Sequence, residues 1–202
     1  MKLYYTAGAC SLSPHIVLIE AGLPYELEAV NLKTKKTETG TNYLLINAKG
    51  VVPALQLNDG SILTEGSVII QYLADQVPEK NLIPAQGTLA RYRVQEWLNF
   101  IAMDFQKNFM AIFQPDFMAC KGVAVKMLLK QCDYLNRQLT NKNWLMGDKF
   151  TIADIYLYVI CTWLRYADID ISQWKQLSAW YNRVAARSAV KKACEEEGLK
   201  IS

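Results

Sequence analysis

Cys10 stands in the small-residue stretch from Thr6 to Ser13, between an apolar strand pattern at Lys2 to Tyr5 and a helical pattern whose face is Leu12, Ile16 and Ile19. A cysteine at such a junction feels the partial positive charge of the helix start, which favours its thiolate. That is where a redox-active or thiol-binding cysteine needs to be, and it is equally a place for a small structural residue in a turn. Ser13 occupies the position at which a second cysteine would complete a CxxC pair, so dithiol cycling is excluded. A mixed disulfide, or stabilisation of a bound thiol, remains. Tyr5, Ser11 and Ser13 add hydroxyls within local reach, although strand tyrosines and helix-capping serines often serve structure alone.

A second candidate site lies in Gly50 to Leu73, GVVPALQLNDGSILTEGSVIIQYL. Pro53 sits at the mouth of a strand, where no ladder donor is needed, and a cis bond there would turn the backbone of Val52 outward to a partner. Asp59-Gly60 between two apolar runs predicts a hairpin with a primed turn. Thr64, Glu65, Gly66 and Ser67 then open a helix, whose unpaired N–H groups and partial positive charge suit a carboxylate guest. The same stretch also reads as a plain hairpin followed by a capped helix.

Further along, Asn99 and Gln106 are seven residues apart, which in a regular helix is nearly one face, with Lys107 beside them. They read as groups reaching across a cleft or as a polar stripe facing water. Lys35, from the cluster Lys33, Lys35 and Lys36, is placed to meet a carboxylate, yet such clusters are usually solvated, as the run Glu195 to Glu197 is expected to be. His15 is the single histidine, which removes histidine-rich metal sites and nearly every catalytic triad. Its expected role is a packed or surface one.

These residues need elements to hold them. Strand, helix and strand within the first thirty or so residues form a βαβ unit with a parallel pair. A short helical candidate at Asn42 to Ile46 follows, then the hairpin and its helix, giving a small mixed sheet with helices on its faces. Pro78 to Gly87 is the boundary, and beyond it the chain reads as helical, with a long pattern from Thr88 to about Phe113 and apolar stripes at Leu128, Cys132, Leu135 and Leu139, and at Ala153, Leu157, Ile160 and Leu164. Thr151 and Asp154 form a capping box that is structural, with Phe150 and Ile155 where a staple would sit. The 202 residues carry 22 basic and 19 acidic side chains, a net charge of +3 that does not imply nucleic acid. The start MKLYY has no leader pattern and no apolar run is long enough to cross a bilayer, so a cytoplasmic protein with no membrane association is expected. Five scattered cysteines, without metal-ligand spacing, read as free thiols with no metal.

Taken together, KLYYTAGACSLSPH, LKTKKTETG, NAKGVVPAL, LNDGSILTEGSVIIQYLAD, EWLNFIA and GDKFTIADIYLY resemble the cytosolic glutathione transferases, specifically the bacterial beta class, over essentially the whole chain. The resemblance implies an α/β thioredoxin-like N-terminal domain (βαβαββα) over 1–80, which binds glutathione, and an all-α helical domain over 87–202, which contributes the hydrophobic substrate site. It implies a homodimer whose co-substrate is glutathione, acting on a small hydrophobic electrophile. Carried over by position, Val52 would bind the cysteinyl backbone with Pro53 cis, Glu65 and the N–H groups of Gly66 and Ser67 would hold the γ-glutamyl end, and Lys35 would face the glycyl carboxylate. Cys10 would face the sulfur, with Tyr5 nearby as a donor, and Asn99 and Lys107 would contribute from the long helix. Other beta-class sequences carry a histidine near the sulfur where Gln106 stands here, and glutamine can hydrogen-bond a thiolate but not take its proton near neutral pH. Conjugation is the expected activity, with thiol–disulfide exchange or peroxide reduction through Cys10 as a possible companion, and a weakly catalytic carrier of hydrophobic compounds as the alternative. Met103, Phe105, Phe109, Phe113 and Trp163 are the candidate apolar wall of the second-substrate pocket.

Overall fold

A computed structural model describes residues 1–200. The chain folds as two units, one formed by Met1–Leu82 together with the chain from Arg187, the other by Ile83–Ala186.

The first unit is built on a five-stranded mixed sheet in the order β3-β2-β1-β4-β5. The central strand β1 (Lys2–Tyr5) pairs in parallel with β2 (Glu26–Asn31) and antiparallel with β4 (Ala54–Gln56), so that Leu3 lies between Leu27 and Leu55. β5 (Ile62–Thr64) closes one edge and the two-residue β3 (Lys36–Thr37) the other. Alternation along β1 sends Tyr4 to a cluster with Val30, Tyr43, Val52 and Ala54. α1 (Leu12–Ala21) is apolar almost all round and correspondingly buried, with α2 (Gly66–Asp75) packed against it. The strand β3 begins within the cluster of Lys33, Lys35 and Lys36, and the helix expected near Asn42 is a single 3-10 turn, Tyr43–Leu45, whose Leu44 N–H donates to the Asn42 side chain.

The hairpin departs from expectation in its turn. Gly60 has φ +85° but Asp59 is not in the left-handed region, and Gly60 N–H donates to the Leu57 carbonyl at 3.0 Å while Leu57 N–H donates to Ser61 at 2.8 Å. That is a type I turn closed by a glycine bulge rather than a primed turn. Asp59 sets it by accepting from the Ser61 N–H at 2.9 Å.

The second unit is helical: α3 (Leu89–Phe100), α4 (Met110–Phe113), α5 (Lys121–Gln138), α6 (Ile152–Cys161) and α7 (Lys175–Ala185). α6 is buried over its whole length and packs against α3 and α7. The long pattern from Thr88 is not one regular helix. Ile101–Phe105 form a π turn and Gln106–Phe109 a 3-10 turn before α4 resumes.

The last helix, α8 (Ser188–Glu196), lies against α1 in the first unit. The sequence boundaries of 1–80 and 87–202 run the helical domain to the chain's end. The difference has a local cause: Ala189, Val190, Ala193 and Cys194 form a buried stripe, and Arg187 makes a two-pronged ion pair with Glu20 of α1 at 2.6 and 3.0 Å.

Candidate functional site

The backbone before Pro53 is fixed by side chains, two of which, Tyr43 and Asn47, were given no role from the sequence. Tyr43, fully buried, donates its hydroxyl to the Val51 carbonyl at 2.9 Å, and Asn47 Nδ2 donates to the same oxygen at 2.7 Å. Gly50, with φ +65°, has its carbonyl held by Lys35 Nζ at 2.7 Å, and a Cβ there would stand 3.0 Å from Leu44, so the loop requires glycine. Lys35 is thus tied to the loop that leads into Val52. The Val52-Pro53 bond is cis, as the resemblance implied.

Beside it, Glu65 caps α2 with φ +69° and ψ 110°. A non-glycine residue in that region carries strain that persists only where the surroundings impose it, and such residues gather at ligand sites. Gly66 and Ser67 follow as the first helical residues, so their N–H groups have no carbonyl one turn back to bond. A Cβ on Gly66 would lie 3.6 Å from the Pro53 ring, which sets the helix start directly behind the proline. Lys49 Nζ donates to the Glu65 carboxylate and, at 2.9 Å, to Thr64 Oγ1. The sequence reading did not single out Lys49, and its separation of sixteen residues from Glu65 leaves no local pattern.

Cys10 Sγ donates to the Val52 carbonyl at 3.4 Å, which brings the two sequence stretches together. Ser11 does not cap α1 through its side chain. Its hydroxyl instead closes the loop on Thr6, accepting from the Thr6 N–H at 3.1 Å and donating to the Thr6 carbonyl at 3.2 Å. Ser13 is fully buried, and its hydroxyl has no hydrogen-bond partner among the described residues. The Tyr5 ring lies 6.4 Å from that of His15, and burial followed by the nearby Glu197 charge raises the Tyr5 hydroxyl pKa, keeping it a protonated donor.

None of the five cysteines is in a disulfide, but their environments differ. Burial pushes Cys132 up to about 12 and also raises Cys161 and Cys194, whereas Cys10 is half-buried and Cys120 exposed. Native protein titrated with an aromatic disulfide reagent is therefore expected to show two fast-reacting thiols, with three more appearing only in denaturant. Five fast thiols, or none, would contradict this assignment.

At the far end of the chain one expectation, a packed His15, holds and one is corrected. His15 is fully buried, with Nδ1 2.9 Å from Glu197 and Nε2 2.7 Å from Glu196. Glu197, expected on a solvated face, has no exposed side-chain surface. The α8 terminus lies against α1, so Glu197 becomes internal while Glu195 and Glu196 stay exposed.

In the helical unit, Gln106 Oε1 accepts from the Tyr156 hydroxyl. That engages the amide oxygen, while the NH2 group can still donate. Asn99 and Lys107 are exposed. The π turn between Asn99 and Gln106 adds about one residue to the helix, a rotation of roughly 100°, so the shared face inferred from seven-residue spacing does not hold. Of the candidate wall, Phe105 and Phe109 belong to the core at 0% and 1% exposure. Met103 is exposed, and half-exposed Phe113 stacks edge-on against buried Trp163 and exposed Tyr166, each at 5.4 Å. Among the described residues no helix is long and apolar enough to cross a membrane, and no three His, Cys, Asp or Glu side chains are grouped to hold a metal.

Comparison with known proteins adds a family. Residues 7–76 match the model of the glutathione S-transferase N-terminal domain and residues 104–188 that of the C-terminal domain. The chain is 41% identical to glutathione S-transferase GstA of Escherichia coli O157:H7, over 99% of this chain and 100% of that one. It superposes on a sphingomonad glutathione S-transferase solved with glutathione and on a bacterial beta class enzyme from Sphingomonas chungbukensis. Each shows 40% identity, 99% and 100% coverage of the two chains, and a TM-score of 0.95.

Proposed function

The chain belongs to the glutathione S-transferase family, and from that premise we propose that it joins the sulfur of glutathione to small hydrophobic electrophiles. The observation that carries the reading is Glu65, strained at φ +69° on the end of α2. It sets a carboxylate for an ammonium group beside the Gly66 and Ser67 N–H groups for a carboxylate, the two charges of a γ-glutamyl end. Val52, at the mouth beside Pro53, offers its backbone to the cysteinyl unit, and Lys35 offers a cation for the glycyl carboxylate. Tyr5 and Gln106 are donors suited to a thiolate. In this reading Cys10 is the thiol that would face the glutathione sulfur, and Asn99 and Lys107 would be further polar contacts. Chemistry consists of loss of the thiol proton to solvent, attack of the thiolate on the electrophilic carbon, and departure of the leaving group, with binding supplying proximity. The exposed edge of Phe113 and Tyr166 is the apolar surface for the second substrate.

The test is a calorimetric titration of the reduced protein with glutathione at two temperatures, followed by a conjugation assay with an activated aryl halide. One saturable site per chain and protein-dependent conjugation are expected. Silence at both temperatures overturns the reading, and binding without turnover moves it to a carrier. A homodimer is part of the same proposal: Leu89 and Tyr92 on α3, Met103 in the π turn after it and Val123 on α5 are 71%, 60%, 53% and 67% exposed, apolar side chains that a second copy could cover. Sedimentation should give twice the chain mass of 22.9 kDa, and a monomer would remove this element.

A further inference from the structure

We propose that Lys49 stands in for the ligand's ammonium group at Glu65 and thereby sets how strictly the site selects for that group. Its Nζ donates to the Glu65 carboxylate and, at 2.9 Å, to Thr64 Oγ1. An α-ammonium, like the head of a lysine, is a compact cation with three donors, so the two acceptors that hold Lys49 are the two such a ligand would use. The proposal rests on the reading that Glu65 receives the α-ammonium of glutathione, and adds that this place is contested from within the first unit.

The surroundings make Lys49 an exchangeable partner. Its side chain is 51% exposed and that of Glu65 64%, and an ion pair so open to water corresponds to no more than about a fivefold preference. The acceptors, by contrast, are placed by the backbone. Glu65 has φ +69° at the start of α2, and Thr64 ends β5, in register with Ala54 of β4. The loop that carries Lys49 does not depend on its ammonium either. Asn47 Oδ1 accepts from the Lys49 N–H at 3.1 Å, Asn47 Nδ2 and the Tyr43 hydroxyl hold the Val51 carbonyl, and Lys35 holds that of Gly50. The lysine head can therefore leave Glu65 without disturbing the backbone that leads to Val52. A ligand that brings its own ammonium must displace that of Lys49, and its apparent affinity falls by the fraction of time Glu65 is occupied. A ligand without an ammonium is compensated, because Lys49 stays and keeps a cation between Glu65 and the ligand's carboxylate. Lys49 thus narrows the difference between the two ligands.

The test is a calorimetric titration of the parent, Lys49→Met and Lys49→Arg with glutathione and with glutaryl-cysteinylglycine, which differs only in lacking the α-ammonium. Discrimination is the ratio of the two dissociation constants. Methionine keeps most of the aliphatic stem and removes the charge. Lys49→Met should bind glutathione about two- to fivefold more tightly than the parent and the glutaryl compound more weakly, raising the ratio by about fivefold or more. Lys49→Arg, which keeps a cation at Glu65, should stay within about twofold of the parent's ratio. A merely structural role for Lys49 would move both ligands alike and leave the ratio where it was. Weaker glutathione binding by Lys49→Met would overturn the proposal, since Lys49 would then hold the ligand instead of yielding to it. A ratio within about twofold of the parent's, or an equal rise in Lys49→Arg, would overturn it too. If neither the parent nor Lys49→Met binds glutathione, the reading of Glu65 falls and this proposal with it, whereas binding with an unmoved ratio removes this proposal alone.

Discussion

Replacing Asp154 by alanine is expected to cost about 4 kcal/mol and to lower the melting temperature by roughly 10 °C, the largest stability loss of any single substitution considered for this chain. Its carboxylate is fully buried and collects donors from three places: the Leu145 N–H and Trp180 Nε1 at 2.9 Å on one oxygen, and the Thr151 N–H at 2.9 Å on the other. Alanine strands all three donors without water. The capping box expected between Thr151 and Asp154 is present, but the same carboxylate also ties the loop before α6 to α7, which raises its worth well above a local cap. Burial pushes Asp154 up to about 6, against the hydrogen bonds from Leu145, Trp180 and Thr151 that pull it down. A folded-state pKa above the unfolded one means that the folded state binds the proton more tightly. This group's contribution to stability is therefore full below about pH 4, declines as pH rises to about 6, and is level above. Denaturant titrations of the parent and of Asp154→Asn should show the difference between them shifting across that window. A parallel pair of pH profiles would refute the assignment, as would a fall of only a degree or two for Asp154→Ala.

The second large effect falls on binding. Glu65→Ala should weaken glutathione affinity on the order of 30- to 100-fold, the range for losing one charged hydrogen-bonding partner. Glu65→Gly separates function from fold. Glycine accepts φ +69° without penalty, so this variant should be as stable as the parent or more so, by up to about 1 kcal/mol, while still binding weakly. The exposed pair with Lys49 is no counterweight, since both side chains are more than half exposed and such pairs contribute little. Unchanged affinity in either variant would remove Glu65 from the site.

What could be read from the sequence follows the range of the forces involved. The strand before Cys10, the hairpin around Asp59-Gly60, the start of α2 and the Thr151 box all rest on neighbours within a few residues, and local patterns record them. The turn type at Gly60 was misjudged because Asp-Gly serves a primed turn and a bulged one alike. The π turn at Ile101–Phe105 has no pattern of its own, so a face drawn from regular spacing rotated away from Asn99. The Glu195 to Glu197 run looked solvated because its partners, Gly8 and His15, lie more than 180 residues away. Tyr43 and Asn47 escaped notice for a related reason. Each is an ordinary residue type whose work is to hold a carbonyl.

The placement of α8 also governs when this protein can fold. The helical unit occupies one unbroken span, Ile83–Ala186, and can assemble as soon as that span leaves the ribosome. The first unit is begun earlier but cannot be completed then, because the helix that packs on α1 is made only after the whole helical unit. In the order of synthesis the N-terminal unit begins before the helical unit and is completed after it, so a chain that stops short of Glu197 would lack the contact between that side chain and the Gly8 backbone.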